Sequence, residues 1–463
     1  MSSTRSERSR VKSPTPTPRP PADEPVRHRQ AMCAPHEAPP GEPSPRTSGG
    51  FKSRPPVGST RPSPLPVFVP HDGPSSISTK TPRLLKFHAP EIVFGPGSLA
   101  EAGFAAERLG ARRPFVVTDP GLMATPWADE LLDHLHEAGL VATLWHGVTP
   151  NPKDHEIEAG YQQYAKSGCD VIIAIGGGSC IDAAKGVAVL SGNGGSILDY
   201  AGVDQFAKPI PPLLMIPSTA GTGADVSQFC VVTDTVRSIK VTLIGRALVP
   251  DISITDPRLL TTMPAWLAGA TGLDALTHGI EAFVSLGHNP LTDGHALSAV
   301  RLVTGNLCQS LSRPSDPEGR ERMAQASLEA GLAFSNAILG ATHAMSHQVG
   351  GLLDVPHGVV NGVLLPHVIR YNAAAAPDRF VPLAMAAGLK IESMSGLEAA
   401  EMLADHVRNL ADEVGIPRGL RHLGVRQENI GHLAMSTLND ACLSTNPRSA
   451  DRRDVEALFM AAL

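Results

Sequence analysis

The stretch CDVIIAIGGGSCIDAAKG, residues 169–186, restricts the possible folds of this chain more than any other. Val171 to Ile175 run apolar without alternation, the pattern of a strand covered on both faces, as in a parallel sheet. Gly176, Gly177 and Gly178 end the run, and a helix is expected to open around Ser179 to Asp182. Glycines let a backbone approach an anion closely, while a helix N-terminus offers unpaired N–H groups and a positive dipole to a pyrophosphate. The pattern is not GxGxxG, because Ile181 occupies the third glycine position, and no GK[ST] follows it. Alone it reads equally as a phosphate cradle or as a tight strand–helix turn.

The neighbouring segments repeat the alternation. LKFHAPEIVFGPGSL opens with a strand and a Gly-Pro-Gly turn, and a helical pattern follows around Leu99 to Leu109. PFVVTDPG is a short apolar run closed by Asp119 and Gly121; WADELLDHLHEAGL, VATLWHG and DHEIEAGYQQYAKSG then read as helix, strand and helix. PPLLMIPST, VTLIG and DISITD supply further short strands, the last ending at Asp256. Strands and helices alternating in this way predict a parallel sheet covered by helices on both faces. From TTMPAWLAGATG onward the chain turns to long, Ala-rich helical patterns without convincing strands. A boundary near 260 therefore divides an α/β half, 85–260, from an all-helical half, 261–463. Residues 1–84, rich in Pro, Ser and Arg and without apolar periodicity, are expected to be disordered because they bury too little to offset ordering.

Charge narrows the partners. Residues 1–85 hold 13 Lys and Arg against 6 Asp and Glu, which leaves the remainder with a net charge of -13. An acidic body binds phosphate backbones poorly, so no nucleic-acid partner is expected. The six cysteines, Cys33, Cys169, Cys180, Cys230, Cys308 and Cys442, are scattered without a CxxC, which suits a reducing cytoplasm rather than a disulfide framework. No run of about 18 apolar residues suggests a membrane span, and no secretory signal pattern is seen at the N-terminus. Cytoplasmic residence follows as the expectation.

Three further segments carry candidate chemistry. IPSTAGTGADVS, residues 216–227, is a second strand end loaded with Gly and hydroxyl residues, and two such loops at neighbouring strand ends would form the crevice where nucleotides usually bind. Asp119 could there accept the 2'- and 3'-hydroxyls of an adenosine ribose and repel a 2'-phosphate, or it could be an ordinary turn or cap residue. ATHAMSHQVGGLLDVPHGVVNG spaces His343, His347 and His357 by four and ten. A helix from Ala341 to about Leu353 would put His343 and His347 on one face, and Pro356 would place His357 beyond that helix, after a turn. TGLDALTHGIEAFVS repeats the four-residue step with Asp274 and His278. A carboxylate with imidazoles suits Fe(II) or Zn(II), although satisfied core histidines and a surface Asp–His pair are the plain alternatives.

Taken together, GGGSCIDAAK, PSTAGTGAD, TGLDALTHGIEAF and HAMSHQVGGLLDVPHGVVNGVLLPHVIRYN resemble the iron-containing (group III) alcohol dehydrogenases over about residues 86–463. The resemblance implies a Rossmann-like dinucleotide-binding domain followed by an all-α domain, in a dehydroquinate-synthase-like architecture with the site in the cleft between them. It implies that Asp274, His278, His343 and His357 ligate Fe2+, with Zn2+ as the alternative, while His347 is a non-ligand histidine serving the reaction. Asp119, Asn151, Gly177, Gly178, Ser179, Asp182, Ser218, Thr219, Ser227 and Lys240 fall on positions similar to the family's NAD contacts, and Phe334 on a substrate-pocket position. Cys180 stands where the family usually has proline, and GTGAD replaces the commoner GTGSE. Segments such as NPKDHEIEAG and LTDGHALSAVRLV are most similar in texture to the ErcA-type alcohol-dehydrogenase-like branch, tied to control of ethanol oxidation.

These readings imply reversible, NAD-dependent oxidation of a small primary alcohol to its aldehyde. The metal would ease loss of the alcohol proton, nicotinamide would take the hydride, and His347 would relay the proton. The alternative is a regulatory or sensor protein of alcohol metabolism with little turnover. The family suggests a homodimer or a larger homo-oligomer.

Overall fold

A six-stranded, all-parallel sheet organises the first half of the protein in the computed structural model, which describes residues 86–463. The Pro/Ser/Arg-rich extension expected over 1–84 lies outside the described residues. The strands of the large sheet are β1 (Glu91–Phe94), β2 (Pro114–Val117), β3 (Thr143–Trp145) and β4 (Val171–Gly176), joined by β6 (Leu213–Pro217) and β9 (Ile252–Thr255). Three others form a small second sheet: β5 (Gly202–Val203), β7 (Phe229–Asp234) and β8 (Ile239–Ile244).

The order β1-β9-β6-β4-β2-β3 places the central strands where the sequence has its longest apolar runs. Every residue of β2, β4 and β6 is buried, as a strand covered on both faces requires. The strand order reverses between β2 and β4: β3 lies on one side of β2, and β4, β6 and β9 on the other. Ligands of open α/β sheets bind at such a reversal, outside the strands' carboxyl ends. Those ends carry Asp119 and the glycines 176–178, and Ser218 follows the next strand over.

The small sheet departs from the sequence expectation. The sequence predicts VTLIG as one more short strand and predicts none at FCVVTD. Instead β7 and β8 pair antiparallel over six residues each, from Phe229–Ile244 to Asp234–Ile239. The β7 segment follows directly on the Gly-rich loop, and its alternation over Phe229–Asp234 is incomplete, so the sequence signal was weak. Pairing with β8 and packing on the helix Gly178–Asn193 supply what local pattern lacked.

After Thr255 the described chain is helical. The helix Ala265–Val284 forms the spine of this half, with every side chain from Gly269 to Val284 buried. Pro290–Ser312, Pro317–Ala337 and His357–Ala373 pack around it. The helix Ala341–Leu353 has the expected bounds; it ends at Asp354 with φ 50°, a left-handed conformation that Asp tolerates. Pro356 then caps a new helix whose first residue is His357. Gly358 lies so close to the spine that a Cβ there would stand 2.1 Å from the Ala270 carbonyl oxygen, and this close crossing brings His357 to Asp274. The described residues, 86–463, belong to one compact unit.

Candidate active site

One cleft of about 770 Å³ is lined by all the candidate cofactor, metal, catalytic and substrate-pocket residues named from the sequence. Its α/β wall carries Asp119, Asn151, Gly177, Gly178, Ser179, Asp182, Ser218, Thr219, Ser227 and Lys240, and its helical wall carries Asp274, His278, Phe334, His343, His347 and His357. The volume lies in the range of about 300–1,000 Å³ common for cofactor and substrate pockets.

The helical wall converges on Asp274. Its Oδ1 lies 3.7 Å from His343 Nε2, 3.9 Å from His357 Nε2 and 4.0 Å from His278 Nε2. Two donors on one tetrahedral ion with bonds of about 2.1 Å stand about 3.4 Å apart, so small inward shifts would let these four share an ion. The donor atoms of Asp274, His343 and His357 lie within 4.8 Å of one another, while His278 stands at the edge, stacked on His343 and on Phe334.

Each imidazole is anchored through Nδ1, which leaves Nε2 for the cleft. His343 Nδ1 meets Glu281 Oε2 at 2.6 Å, His278 Nδ1 meets the Gly221 carbonyl oxygen at 3.1 Å, and His357 Nδ1 meets Ser346 Oγ at 2.9 Å. Such partners fix ring orientation and raise the basicity of the ligating nitrogen. His347 is held the same way, with Nδ1 2.8 Å from Asp440 Oδ2.

The α/β wall fits a dinucleotide. The N-terminus of the 16-residue helix Gly178–Asn193 faces the cleft. Thr219 Oγ1 beside it is buried without a hydrogen-bond partner among the described residues, so a phosphate oxygen would satisfy it. Asn151, at φ 56°, ties the wall together: its N–H donates to Ser179 Oγ, its Oδ1 accepts from Lys240 Nζ at 2.7 Å, and its Nδ2 donates to Asp354 Oδ1. Asp119 caps the short helix Pro120–Met123, as its plainer sequence reading expects, and also lines the cleft.

Comparison with known proteins settles the family. Residues 89–257 match the iron-containing alcohol dehydrogenases, and residues 268–463 match the C-terminal region of the Fe-containing alcohol dehydrogenase family. The chain is 40% identical to 1,3-propanediol dehydrogenase of Citrobacter freundii over 383 residues, which cover 82% of this chain and 99% of the relative. This chain belongs to the iron-containing alcohol dehydrogenase family. It is likewise 37% identical to the NAD-dependent methanol dehydrogenase of Bacillus methanolicus, over 81% of this chain and 99% of that one. A crystal structure of 1,3-propanediol oxidoreductase superposes with a TM-score of 0.80 at 40% identity, covering 82% of this chain and all of the other. The protein is thus an NAD-dependent alcohol oxidoreductase of a family whose metal is Fe2+. The ErcA-type branch finds no specific support in these matches.

The electrostatics of the dehydrogenase's site ask for positive charge. Burial pushes the Asp274 carboxyl up, but His278, His357 and His343 outweigh it and hold it well below the usual carboxylate range. Glu281 is held low against burial in the same way, chiefly by its hydrogen bond to His343. Burial pulls His343 down, but Asp274 and Glu281 overcome it and raise it to about 9. Burial lowers His278 to about 4 and holds His357 well below its ordinary value, leaving both neutral lone-pair donors at neutral pH. A proton on His343 meets part of the charge of two buried carboxylates; a divalent cation would meet it in full.

Several residues in this arrangement were missed in the sequence. Glu281 lies three residues beyond His278 in the motif itself, and its role had no local signature. It accepts from the backbone N–H groups of Gly340, Thr342 and His343, so one carboxylate both caps the His-bearing helix and orients His343. Asn361 donates to Asp274 Oδ1 at 2.7 Å from the next helix. Lys185, within DAAKG, is buried and donates to the carbonyls of Ala224, Ser227 and Phe229, which fastens the Gly-rich loop to the helix Gly178–Asn193. Asp440 stands 93 residues from His347, where no spacing rule reaches.

Proposed function

We propose that Asp274, His278, His343 and His357 hold the Fe2+ of this dehydrogenase, and that His347 carries the proton of a small primary alcohol. The observation that carries the reading is the common anchoring of the imidazoles at Nδ1, which turns four Nε2 atoms toward one cleft beside a buried carboxylate. A metal held there would supply the Lewis acidity that lowers an alcohol's pKa, and a bound nicotinamide would supply the hydride acceptor.

The chain's own residues supply the rest. The helix Gly178–Asn193, Thr219, Ser179 and Asn151 orient the dinucleotide, with Asp119 at the ribose end. Phe334, stacked at 4.3 Å on His278, walls the substrate side and excludes water. His347, whose Nδ1 is committed to Asp440, receives the alcohol proton at Nε2 and releases it to solvent. The division at about residue 260 assigns cofactor binding to the first half and metal binding to the second, with the reaction at their junction. The reading extends to a cytoplasmic homo-oligomer: the cysteines among the described residues are unpaired, and β1 leaves one edge of the large sheet open.

Anaerobic purification, metal analysis and NADH formation on a panel of C2 to C6 alcohols and diols test this. About one iron per chain with turnover is expected; metal and NAD bound at full occupancy without turnover on any alcohol would point to a sensor instead. His347→Ala should slow turnover with iron content intact, and Asp274→Ala should lose the iron. Equal iron loss in both would overturn the division of roles.

A further inference from the structure

Cys180 and Asp119 meet at the strand-order reversal, across the ends of β4 and β2. The Cys180 thiol donates to Asp119 Oδ2 at 3.0 Å, and Asp119 Oδ1 accepts the Leu122 N–H at 2.9 Å. Cys180 is fully buried, whereas Asp119 lines the cleft. The contact depends on Gly176, at φ 154°, where a Cβ would stand 2.4 Å from Cys180 Sγ.

We propose that Cys180 is a positioning residue that sets cofactor specificity by locking the Asp119 carboxylate in the orientation that takes the 2',3'-diol of the adenosine ribose. The proposal rests on the reading of Asp119 as the ribose ligand. A carboxylate offers about four lone-pair sites. Leu122 and Cys180 occupy one on each oxygen, which leaves one on each for the two ribose hydroxyls. With the thiol removed, the carboxylate is held on one oxygen only and can turn its other oxygen away from the diol. A 2'-phosphate presents negative charge where the diol presents donors, so a fixed Asp119 discriminates against it more strongly than a mobile one. Burial, then the charge of Asp119, push the Cys180 thiol well above its ordinary value, so it remains an S–H donor. The pairing is independent of the metal site.

The test compares wild type, Cys180→Ala, Cys180→Ser and Asp119→Ser in the full-length, iron-loaded enzyme, with KM for NAD+ and NADP+ and the NADH dissociation constant as readouts. Cys180→Ala should raise KM for NAD+ by about 3- to 10-fold, the size of one hydrogen bond, and narrow the NAD+/NADP+ preference, while kcat moves far less. Cys180→Ser, which keeps a donor, should recover most of the loss, and Cys180→Ala should add nothing further in an Asp119→Ser background. Wild-type KM and preference in Cys180→Ala, beside a clear effect of Asp119→Ser, would overturn the role of Cys180 alone. Asp119→Ser without effect on NAD+ would instead overturn the ribose reading. Should Cys180→Ala fail to fold, the larger Cys180→Val fills the site without a donor, and equal losses in Val and Ser variants would refute the thiol's part.

Discussion

His347 Nδ1 and Asp440 Oδ2 lie 2.8 Å apart, both side chains almost fully buried, with Gln348 Nε2 donating to the same carboxylate oxygen and the Cys442 N–H to the other. Asp440 therefore commits one nitrogen of His347 and leaves the other to the cleft. Asp440→Ala should lower kcat by roughly 10- to 100-fold, part of the 10²–10⁴ that a positioned acid–base group supplies. Iron content should stay near wild type, as metal analysis beside steady-state kinetics would show; a proportional loss of iron would make Asp440 part of the metal's support instead.

Glu281 joins two tasks in one buried carboxylate. Glu281→Ala removes the cap of the helix Ala341–Leu353 and leaves His343 without its Nδ1 partner. Metal affinity should fall by about 10- to 100-fold, and stability by on the order of 3–5 kcal/mol, as when one member of a buried charged pair is lost. Iron retention against a chelator and thermal melting of the metal-free protein check the two effects separately.

Lys185 gives its ammonium three backbone carbonyls in a fully buried site. Lys185→Met keeps the length of the side chain and strands those carbonyls, at about 1–3 kcal/mol for each one left unsatisfied. Because two of them, those of Ala224 and Ser227, belong to the loop that walls the cofactor side, the variant should melt at lower temperature and bind NADH more weakly. A lowered melting point with an unaltered NADH affinity would limit Lys185 to stability.

Asp182 gives a pH prediction. Burial raises its pKa to about 7, against the opposing pull of Lys185 and Lys240. Between about pH 4 and 7 the folded protein holds a proton on Asp182 that the unfolded chain has released, so its contribution to stability is full below that window and is lost as pH rises through 7. Asp182→Asn removes this dependence. Denaturant melts of the cofactor-free enzyme at pH 5 and pH 8 should show the variant gaining on wild type at the higher pH; an equal difference at both would refute the raised pKa.

Read alone, the order of residues predicts the parallel sheet, the two Gly-rich loops at its strand ends and the four residues proposed to hold the metal. Those features are local: an apolar run before three glycines, and four-residue steps such as Asp274–His278 and His343–His347, which a helix turns into shared faces. Tertiary structure decided which nitrogen each imidazole presents, because Glu281, Gly221, Ser346 and Asp440 come from different elements, and which partner reaches which ring is set by packing. It also decided the pairing of β7 with β8, where cross-strand contacts replace a weak local pattern, and the meeting of Cys180 with Asp119, 61 residues apart. Spacing along a chain fixes neighbours only within one helix or strand; contacts between elements depend on the fold, and here they aim the site's side chains.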